Sequence, residues 1–120
     1  MDRKDEFRAR TKAYASAVIR LYCGLPRQRD EVSILGRQML RSGTSVAANY
    51  REASRARSRA EFISKIELCA QEADETQLWF ELLRDDCGIA SKALDLLLQE
   101  TDELIAIFVT MARNTKRDDK

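Results

Sequence analysis

Four arginines stand close together in the segment NYREASRARSRAEF, residues 49–62. They are Arg51, Arg55, Arg57 and Arg59. The same segment has only two acids, Glu52 and Glu61. Guanidinium groups at this density could bind the phosphates of RNA or DNA through charge-assisted hydrogen bonds. Solvated charge at a corner between two helices is the competing explanation, because an exposed arginine needs no ligand.

The basic cluster extends back along the preceding segment. At about 100° per residue, Arg37, Arg41 and Arg55 fall within about 40° of one another on a helix, and Arg51 lies about 40° further round. From residue 33 to residue 55 the only acid is Glu52. This spacing predicts a basic stripe along one helix. The candidate nucleic-acid-binding residues are therefore Arg37, Arg41, Arg51, Arg55, Arg57 and Arg59.

A line of uncharged polar residues runs beside this stripe. Gln38, Ser45 and Asn49 fall, with Arg41 and Glu52, within about 100° of arc. Amide and hydroxyl groups at this spacing indicate directed hydrogen bonds to another helix, either in the same bundle or in another subunit. We expect a subunit interface here, and a mixed solvated surface is the alternative. The candidate interface residues are Gln38, Ser45, Asn49 and Glu52.

The charge of the chain is divided between its halves. The formal net charge is +1, but residues 1–60 carry 14 Lys and Arg against 6 Asp and Glu, whereas residues 61–120 carry 7 against 14. The two halves are therefore +8 and −7. This asymmetry predicts a basic and an acidic surface, which suit different partners or each other.

The residue types disfavour catalysis. The chain has no histidine, the usual acid–base residue, and no glycine-rich phosphate loop. Neighbouring carboxylates such as Glu72 and Glu75, or Asp102 and Glu103, lack an opposing partner and are typical of a solvated acidic face. We expect no enzymatic activity, no catalytic residue, no cofactor and no small-molecule substrate.

The three cysteines favour neither a disulfide nor a metal site. Cys23, Cys69 and Cys87 form no C-x-x-C pair and have no histidine to complete a zinc site. We expect buried free thiols in a reducing compartment and no bound metal. The charged N-terminal segment does not resemble a signal peptide, and the longest apolar run, residues 104–109, is too short to span a membrane. Cytoplasmic location without membrane association is the expectation.

Hydrophobic spacing predicts an all-α fold. Apolar residues recur at alternating three- and four-residue steps, and no segment alternates as a strand does. Gly24 and Pro26 end the first helix, and Gly88 ends the third. We predict a single domain over residues 1–120, an antiparallel up-down-up-down four-helix bundle. Its predicted helices span about residues 4–23, 30–56, 59–87 and 91–115.

Two local features within these helices have a physical role of their own. The segment Ser58-Arg59-Ala60-Glu61 has the pattern of a capping box, in which the Ser58 hydroxyl accepts from the Glu61 N–H and the Glu61 carboxylate reaches back to the Ser58 N–H. Gly43 falls on the apolar seam of the second helix, where a small residue allows a neighbouring helix to approach closely.

The sequence pattern that contains these polar residues resembles that of a known protein family. The pattern Q-x-x-R-x-x-x-S-V-x-x-N-x-x-E at residues 38–52, followed by F-I at 62–63 and E-T-x-x-W at 75–79, is similar to bacterial four-helix-bundle proteins encoded in intervening sequences of 23S rRNA genes. The resemblance covers about residues 7–112. The sequence departs from the frequent Asn-Ile-Ala-Glu-Gly, having Asn49-Tyr50-Arg51-Glu52-Ala53 instead. Losing that glycine predicts a second helix that continues past Glu52.

The resemblance implies a small cytoplasmic bundle that assembles into rings, notably homopentamers, with no established enzymatic activity. A related accessory protein of diversity-generating retroelements is a pentameric barrel with a basic surface that works with a reverse transcriptase and nucleic acid. Two functional hypotheses follow for this chain. It is either a homo-oligomer that binds RNA or DNA through its arginine-rich face, or a structural module whose basic face packs on acidic helices of a neighbouring subunit.

Overall fold

The computed structural model describes residues 2–118 and contains four α-helices in that range. They are α1 (Arg3–Gly24), α2 (Asp30–Ala53), α3 (Arg59–Asp85) and α4 (Lys92–Asp118). No strand occurs in the described range, so the all-α prediction is confirmed. Each helix packs against two others in the cyclic order α1, α2, α3, α4, as in a four-helix bundle, which is 51 Å long.

In each pair of consecutive helices, the N-terminal part of one helix contacts the C-terminal part of the other. Antiparallel neighbours produce this pattern of contacts. The contacts include Phe7 with Tyr50, Glu52 with Lys65, and Glu67 with Lys116. The start of α1, the end of α2, the start of α3 and the end of α4 therefore lie at one end of the bundle.

The corner between α2 and α3 begins earlier than predicted. α2 ends at Ala53 rather than near residue 56, and Ser54 is its C-cap. The amides of Arg55 and Ala56 bond to carbonyls three residues back, at 3.1 Å each, so the chain tightens and leaves the helical path. The prediction that α2 runs on to residue 56 was wrong, since it continues only one residue past Glu52.

The predicted starts of α2 at residue 30 and of α3 at residue 59 are confirmed, and the remaining helix ends differ from the predictions by one to three residues. α1 spans residues 3–24 instead of 4–23, and α4 starts at Lys92 and reaches Asp118, beyond the predicted 115. α3 stops at Asp85, two residues before the predicted end. Gly88 has a φ of +70°, a left-handed conformation that lets the Ile89 amide reach the Leu83 carbonyl at 3.0 Å. Gly88 thus ends this segment as predicted.

Two buried hydroxyl pairs cross the bundle between helices. The Tyr14 hydroxyl lies 2.7 Å from Thr101 Oγ1 and joins α1 to α4. The hydroxyls of Ser42 and Thr76 are also 2.7 Å apart and join α2 to α3. Thr101 and Thr76 further donate to carbonyls of their own helices. These polar groups are therefore satisfied inside an otherwise apolar core.

The three cysteines are free. Cys69 and Cys87 are buried as predicted, but Cys23 is exposed. The prediction of a buried Cys23 was wrong because this residue lies between the inward positions Leu21 and Leu25 on the last turn of α1. Between residues 2 and 118 there is no metal-ligand cluster, and no helix in that range is long and apolar enough to cross a membrane.

Candidate nucleic-acid interface

A groove of about 730 Å³ lies at the end of the bundle where the chain turns from α2 into α3. Ala47 and Ala48 of α2 line it together with charged side chains from α1, α2, the corner and α3. We call it the basic groove. Its charged residues are Arg8, Lys12, Arg51, Glu52, Arg55, Arg57, Glu61 and Lys65. Six cations thus share one concave surface with two carboxylates.

The cations come from three helices that the fold brings together. Arg8 and Lys12 stand one turn apart near the start of α1, beside the buried Phe7 and Thr11. Arg51 and Arg55 extend from the last turn of α2 and the residues that follow it. Because Phe7 packs on the ring of Tyr50, with centroids 6.2 Å apart, the start of α1 is fixed beside the end of α2. The buried seam therefore positions the exposed charges next to it.

Both carboxylates of the basic groove are held by protein groups. Glu52 Oε2 lies 3.1 Å from the ammonium of Lys65. Glu61 Oε2 accepts a hydrogen bond from the backbone N–H of Arg57 at 3.2 Å, and the Glu61 N–H donates to Ser58 Oγ at 3.0 Å. The capping box is thus present, but its carboxylate reaches the amide of Arg57 instead of Ser58. The irregular turn before α3 presents that amide.

In the part of the chain that the structure describes, four cations of the basic groove have no carboxylate partner. Within residues 2–118, Lys12, Arg51, Arg55 and Arg57 form no ion pair. Arg8 forms one long ion pair, with 3.9 Å between its Nη1 and Asp5 Oδ1. The Nε of Arg8 is buried without a hydrogen-bond acceptor in the described part of the chain. Cations in such a position can take an external anion without first breaking a strong internal pair.

Arg59 does not line the basic groove. Its Nη1 donates to the backbone carbonyl of Asp118 at 2.6 Å, so it caps the end of α4. A cation in the first turn of a helix is disfavoured by the helix dipole, whereas a cation at a helix C-terminus is favoured. The unfavourable interaction of Arg59 with the dipole of α3 is therefore offset by its favourable contact with the C-terminal end of α4.

The basic stripe predicted along α2 is divided. Arg41 forms ion pairs with Glu72, at 3.6 Å, and with Glu75 of α3. Arg37 donates to Ser33 Oγ at 2.9 Å and stands about 21 Å along the helix from Arg51. Of the six arginines predicted to act together, only three share the basic groove: Arg51, Arg55 and Arg57.

Three cations of the basic groove were missed at the sequence level. Arg8, Lys12 and Lys65 come from helices whose pairing with α2 is not visible in local spacing. One signal was available for the first two. Arg8 and Lys12 are four residues apart, and each follows a buried residue of α1, Phe7 or Thr11, so they share one helix face next to the buried seam.

The predicted interface residues lie where α2 borders α3. Gln38 is exposed, and Ser45 and Asn49 are half-buried. The Ser45 hydroxyl donates to the carbonyl of Arg41 at 2.8 Å, within its own helix, and Glu52 pairs with Lys65 across the boundary. Part of this polar line thus serves contacts within the chain.

The surface around this polar line includes exposed apolar side chains. Ile34 of α2 is 54% exposed, and Leu68 and Leu78 of α3 are 37% and 46% exposed. On the same side of α3, Trp79 Nε1 is buried without a hydrogen-bond partner in the described residues, and buried Glu72 Oε2 has only its ion pair with Arg41 at 3.6 Å. We call this surface the α2/α3 face, made of Ile34, Gln38, Ser45, Asn49, Leu68 and Leu78.

Two buried groups, Cys69 and Tyr14, are held in their protonated forms. Burial raises the pKa of the Cys69 thiol to about 12. Burial also raises the pKa of Tyr14, whose hydroxyl is bonded to Thr101. Neither group lines the basic groove. What that groove offers chemically is cationic hydrogen-bond donors on a concave surface.

Comparison with known proteins shows similarity to one described family. The family model described as 23S rRNA-intervening sequence protein matches residues 3–110. A crystal structure of a protein with unknown function from the S23 ribosomal protein family of Bacteroides thetaiotaomicron VPI-5482 is also similar. It shares 31% sequence identity over 88% of this chain and 96% of that chain, with a TM-score of 0.79. No curated protein matches the sequence.

Proposed function

The chain belongs to the 23S rRNA-intervening sequence protein family, and we propose that it is a non-enzymatic, self-assembling bundle that binds the phosphate backbone of RNA or DNA through the basic groove. In this proposal the protein acts in the cytoplasm. Its assembly is a homo-oligomer, with the pentamer favoured by the family resemblance.

The observation that supports phosphate binding is the gathering, on one concave surface, of cations that form no ion pair within residues 2–118. Arg41, Arg10 and Arg29 each lie against carboxylates of the chain. The basic groove instead gathers Lys12, Arg51, Arg55 and Arg57, which have no ion pair within residues 2–118. Cations left without internal partners on one concave surface are what polyanion binding requires.

Self-assembly would compensate for the small size of a single basic groove. Few phosphate contacts per subunit give weak, salt-sensitive binding. An oligomer presents one groove per subunit, and simultaneous engagement of several grooves raises the apparent affinity without any new kind of contact. The α2/α3 face, with its predicted interface residues Gln38, Ser45 and Asn49, is the surface that we assign to subunit contact.

The test is binding of a fluorescein-labelled RNA duplex of mixed sequence, and of a single strand of equal length, at several salt concentrations. We expect affinity to fall steeply with salt and to vary little with sequence, because counterion release dominates phosphate binding. The double variant Arg51→Gln/Arg55→Gln should bind at least about tenfold more weakly and lose about 2 from the slope of log K against log salt.

The matched control is Arg27→Gln/Arg84→Gln, which removes the same charge at the opposite end of the bundle. Arg27 lies over the ring of Tyr22, and Arg84 pairs with Asp85, so neither side chain contributes to the basic groove. Arg37→Gln/Arg41→Gln tests the rest of the predicted stripe. Equal losses from all three double variants would mean that net charge, and not the basic groove, governs binding.

A structural module is the second candidate function. Ion pairs across helix boundaries, such as Glu52 with Lys65 and Arg41 with Glu75, show that basic and acidic side chains of this chain suit each other. If the basic groove meets acidic helices of a neighbouring subunit, Arg51→Gln/Arg55→Gln should dissociate the oligomer, and high salt should do the same. An oligomer that persists while RNA binding is lost supports the first function.

A further inference from the structure

A second groove, of about 910 Å³, lies between α1 and α4. It is lined mainly by small and aliphatic side chains, and we call it the α1/α4 groove. The principal lining residues are Ala13, Ala17, Leu21, Leu25, Leu96 and Leu97. Leu96 is 55% exposed, the largest exposure of any large apolar side chain in the described range.

The α1/α4 groove is open because the residues facing it on α1 are small. Ala13 and Ala17 stand one turn apart and do not fill the space toward α4, and these two helices are the most sparsely packed neighbours in the bundle. Two polar contacts fix the helices at this separation. The Tyr14 hydroxyl bonds Thr101 at 2.7 Å, and the guanidinium of Arg10 contacts Glu100 at 2.7 and 2.9 Å.

The outer surface of α3 has a row of residues whose spacing suits packing against another helix. Besides its buried seam, α3 has a second set of residues at alternating three- and four-residue steps, at positions 68, 71, 75, 78 and 82. These are Leu68, Gln71, Glu75, Leu78 and Leu82. A second seam at heptad-like spacing is typical of a helix that packs against a further helix. We call it the outer α3 seam.

These two surfaces lie on opposite sides of the bundle and differ in character. In the cyclic order of helices, the pair α1 and α4 is opposite the pair α2 and α3. The α1/α4 groove has Arg20 at its edge, without an ion pair in the described residues, whereas its Arg29 is paired with Glu31 and its Glu100 with Arg10. The outer α3 seam contains Glu75, which is paired with Arg41, and is flanked by Asp74 and Glu81, which form no ion pair within residues 2–118. Arg20 at the groove is therefore complementary in charge to Asp74 and Glu81 beside the seam.

We propose that the outer α3 seam of one copy docks into the α1/α4 groove of the next copy. This inference rests on the self-assembly in the proposed function and names the two surfaces that meet. Because the surfaces are different, the contact is head-to-tail, and each subunit uses one surface for each of its two neighbours. Leu78 and Leu68 then pack on Leu96 and the alanines of α1.

The test uses two variants, each with one damaged surface. Leu78→Asp damages the outer α3 seam, and Leu96→Asp damages the α1/α4 groove. Both leucines are about half exposed, so the fold should tolerate the change, which circular dichroism verifies. Native mass spectrometry at micromolar concentration should show an oligomer for the wild type and a monomer for each variant.

Mixing the two variants in equal amounts distinguishes head-to-tail contact from any symmetric contact. The Leu96→Asp chain keeps its outer α3 seam, and the Leu78→Asp chain keeps its groove, so one intact contact can form. The expected product is a 1:1 heterodimer that does not grow further. A mixture that stays monomeric overturns the head-to-tail pairing.

The control variant is Ile19→Asp, which alters a side chain that is 45% exposed and outside both surfaces. It should assemble like the wild type. Should Leu78→Asp and Leu96→Asp also assemble, this pairing of surfaces is wrong while self-assembly stands. A wild type that is monomeric contradicts both the pairing of surfaces and self-assembly. RNA binding by the same variants tests the basic groove separately.

Discussion

Val18 of α1 lies so close to Gly43 of α2 that a Cβ atom at position 43 would stand 2.9 Å from Val18 Cγ1. Val18 is fully buried and β-branched, so its side chain has little freedom to move aside. The absence of a side chain at Gly43 is therefore what allows α1 and α2 to pack at this distance, as the position of Gly43 on the apolar seam predicted.

Gly43→Ala should destabilise the protein. Alanine favours the helix by about 1 kcal/mol relative to glycine, but overpacking a fixed core contact costs about 1–3 kcal/mol. We expect a lower free energy of unfolding in urea, by up to about 2 kcal/mol. Gly24→Ala is the control, because a Cβ there meets nothing within 4 Å. Equal stability of the two variants would show that Val18 can move aside.

Ser58→Ala should lower the free energy of unfolding by about 1 kcal/mol. The change removes the hydroxyl oxygen that accepts from the Glu61 N–H at 3.0 Å, leaving a first-turn amide of α3 without that partner. Ser64→Ala, at an exposed position inside the same helix, should be neutral or slightly stabilising. If Ser58→Ala and Ser64→Ala had the same urea midpoint, the Ser58 hydroxyl would not stabilise the start of α3.

Tyr14→Phe should cost about 1 kcal/mol of unfolding free energy, because it removes the buried hydrogen bond between α1 and α4 while keeping the ring. Thr101 keeps its bond to the Leu97 carbonyl, so no hydroxyl is left without a partner. Tyr22→Phe is the control: its ring is half-buried beneath Arg27, and we expect a change within error. A comparable loss of unfolding free energy in Tyr14→Phe and Tyr22→Phe would show that the bond between Tyr14 and Thr101 is not the cause.

Stability should fall above pH 8 through Cys69. Burial raises the pKa of the folded thiol to about 12, whereas the pKa of an unfolded cysteine is about 8.5. Between these values the unfolded chain has lost a proton that the folded protein retains. The free energy of unfolding should therefore fall with rising pH, by about 1–2 kcal/mol between pH 8 and pH 10.

Cys69→Ala should lose that part of the pH dependence, whatever its stability at pH 8, and Cys23→Ala should retain it because Cys23 is exposed. Urea unfolding at both pH values in the presence of a reductant measures the difference. If the free energy of unfolding fell by the same amount with pH in the wild type and in Cys69→Ala, this thiol would not be the cause of the pH dependence. Tyr14, whose pKa burial also raises, should add to the loss at still higher pH.

The helices could be predicted because their signals are local. The cap at Ser58, the stop at Gly88 and the close approach at Gly43 each depend on residues within one or two turns, or on one seam position. The end of α2 was harder to predict, because the hydrogen bonds that turn the chain at residues 55 and 56 take the place of another helical turn. Nothing in the local spacing decides between them.

The basic groove could be predicted only in part. Arg51, Arg55 and Arg57 are close in sequence and stay close in the fold, but Arg8, Lys12 and Lys65 join them only through helix pairing. Arg59 belongs to the same sequence cluster yet turns to the end of α4, 59 residues away. Which arginines share a surface is decided by tertiary contacts, and their spacing in one segment does not reveal it.

Most of the packing in this bundle joins helices that follow one another in sequence, and α1 with α4 is the exception. Bundles dominated by such local contacts fold quickly, because little chain entropy is lost before contacts form. The Tyr14–Thr101 bond must instead bring together positions 87 residues apart. We expect the α1–α4 boundary to form last during folding and to open first during unfolding.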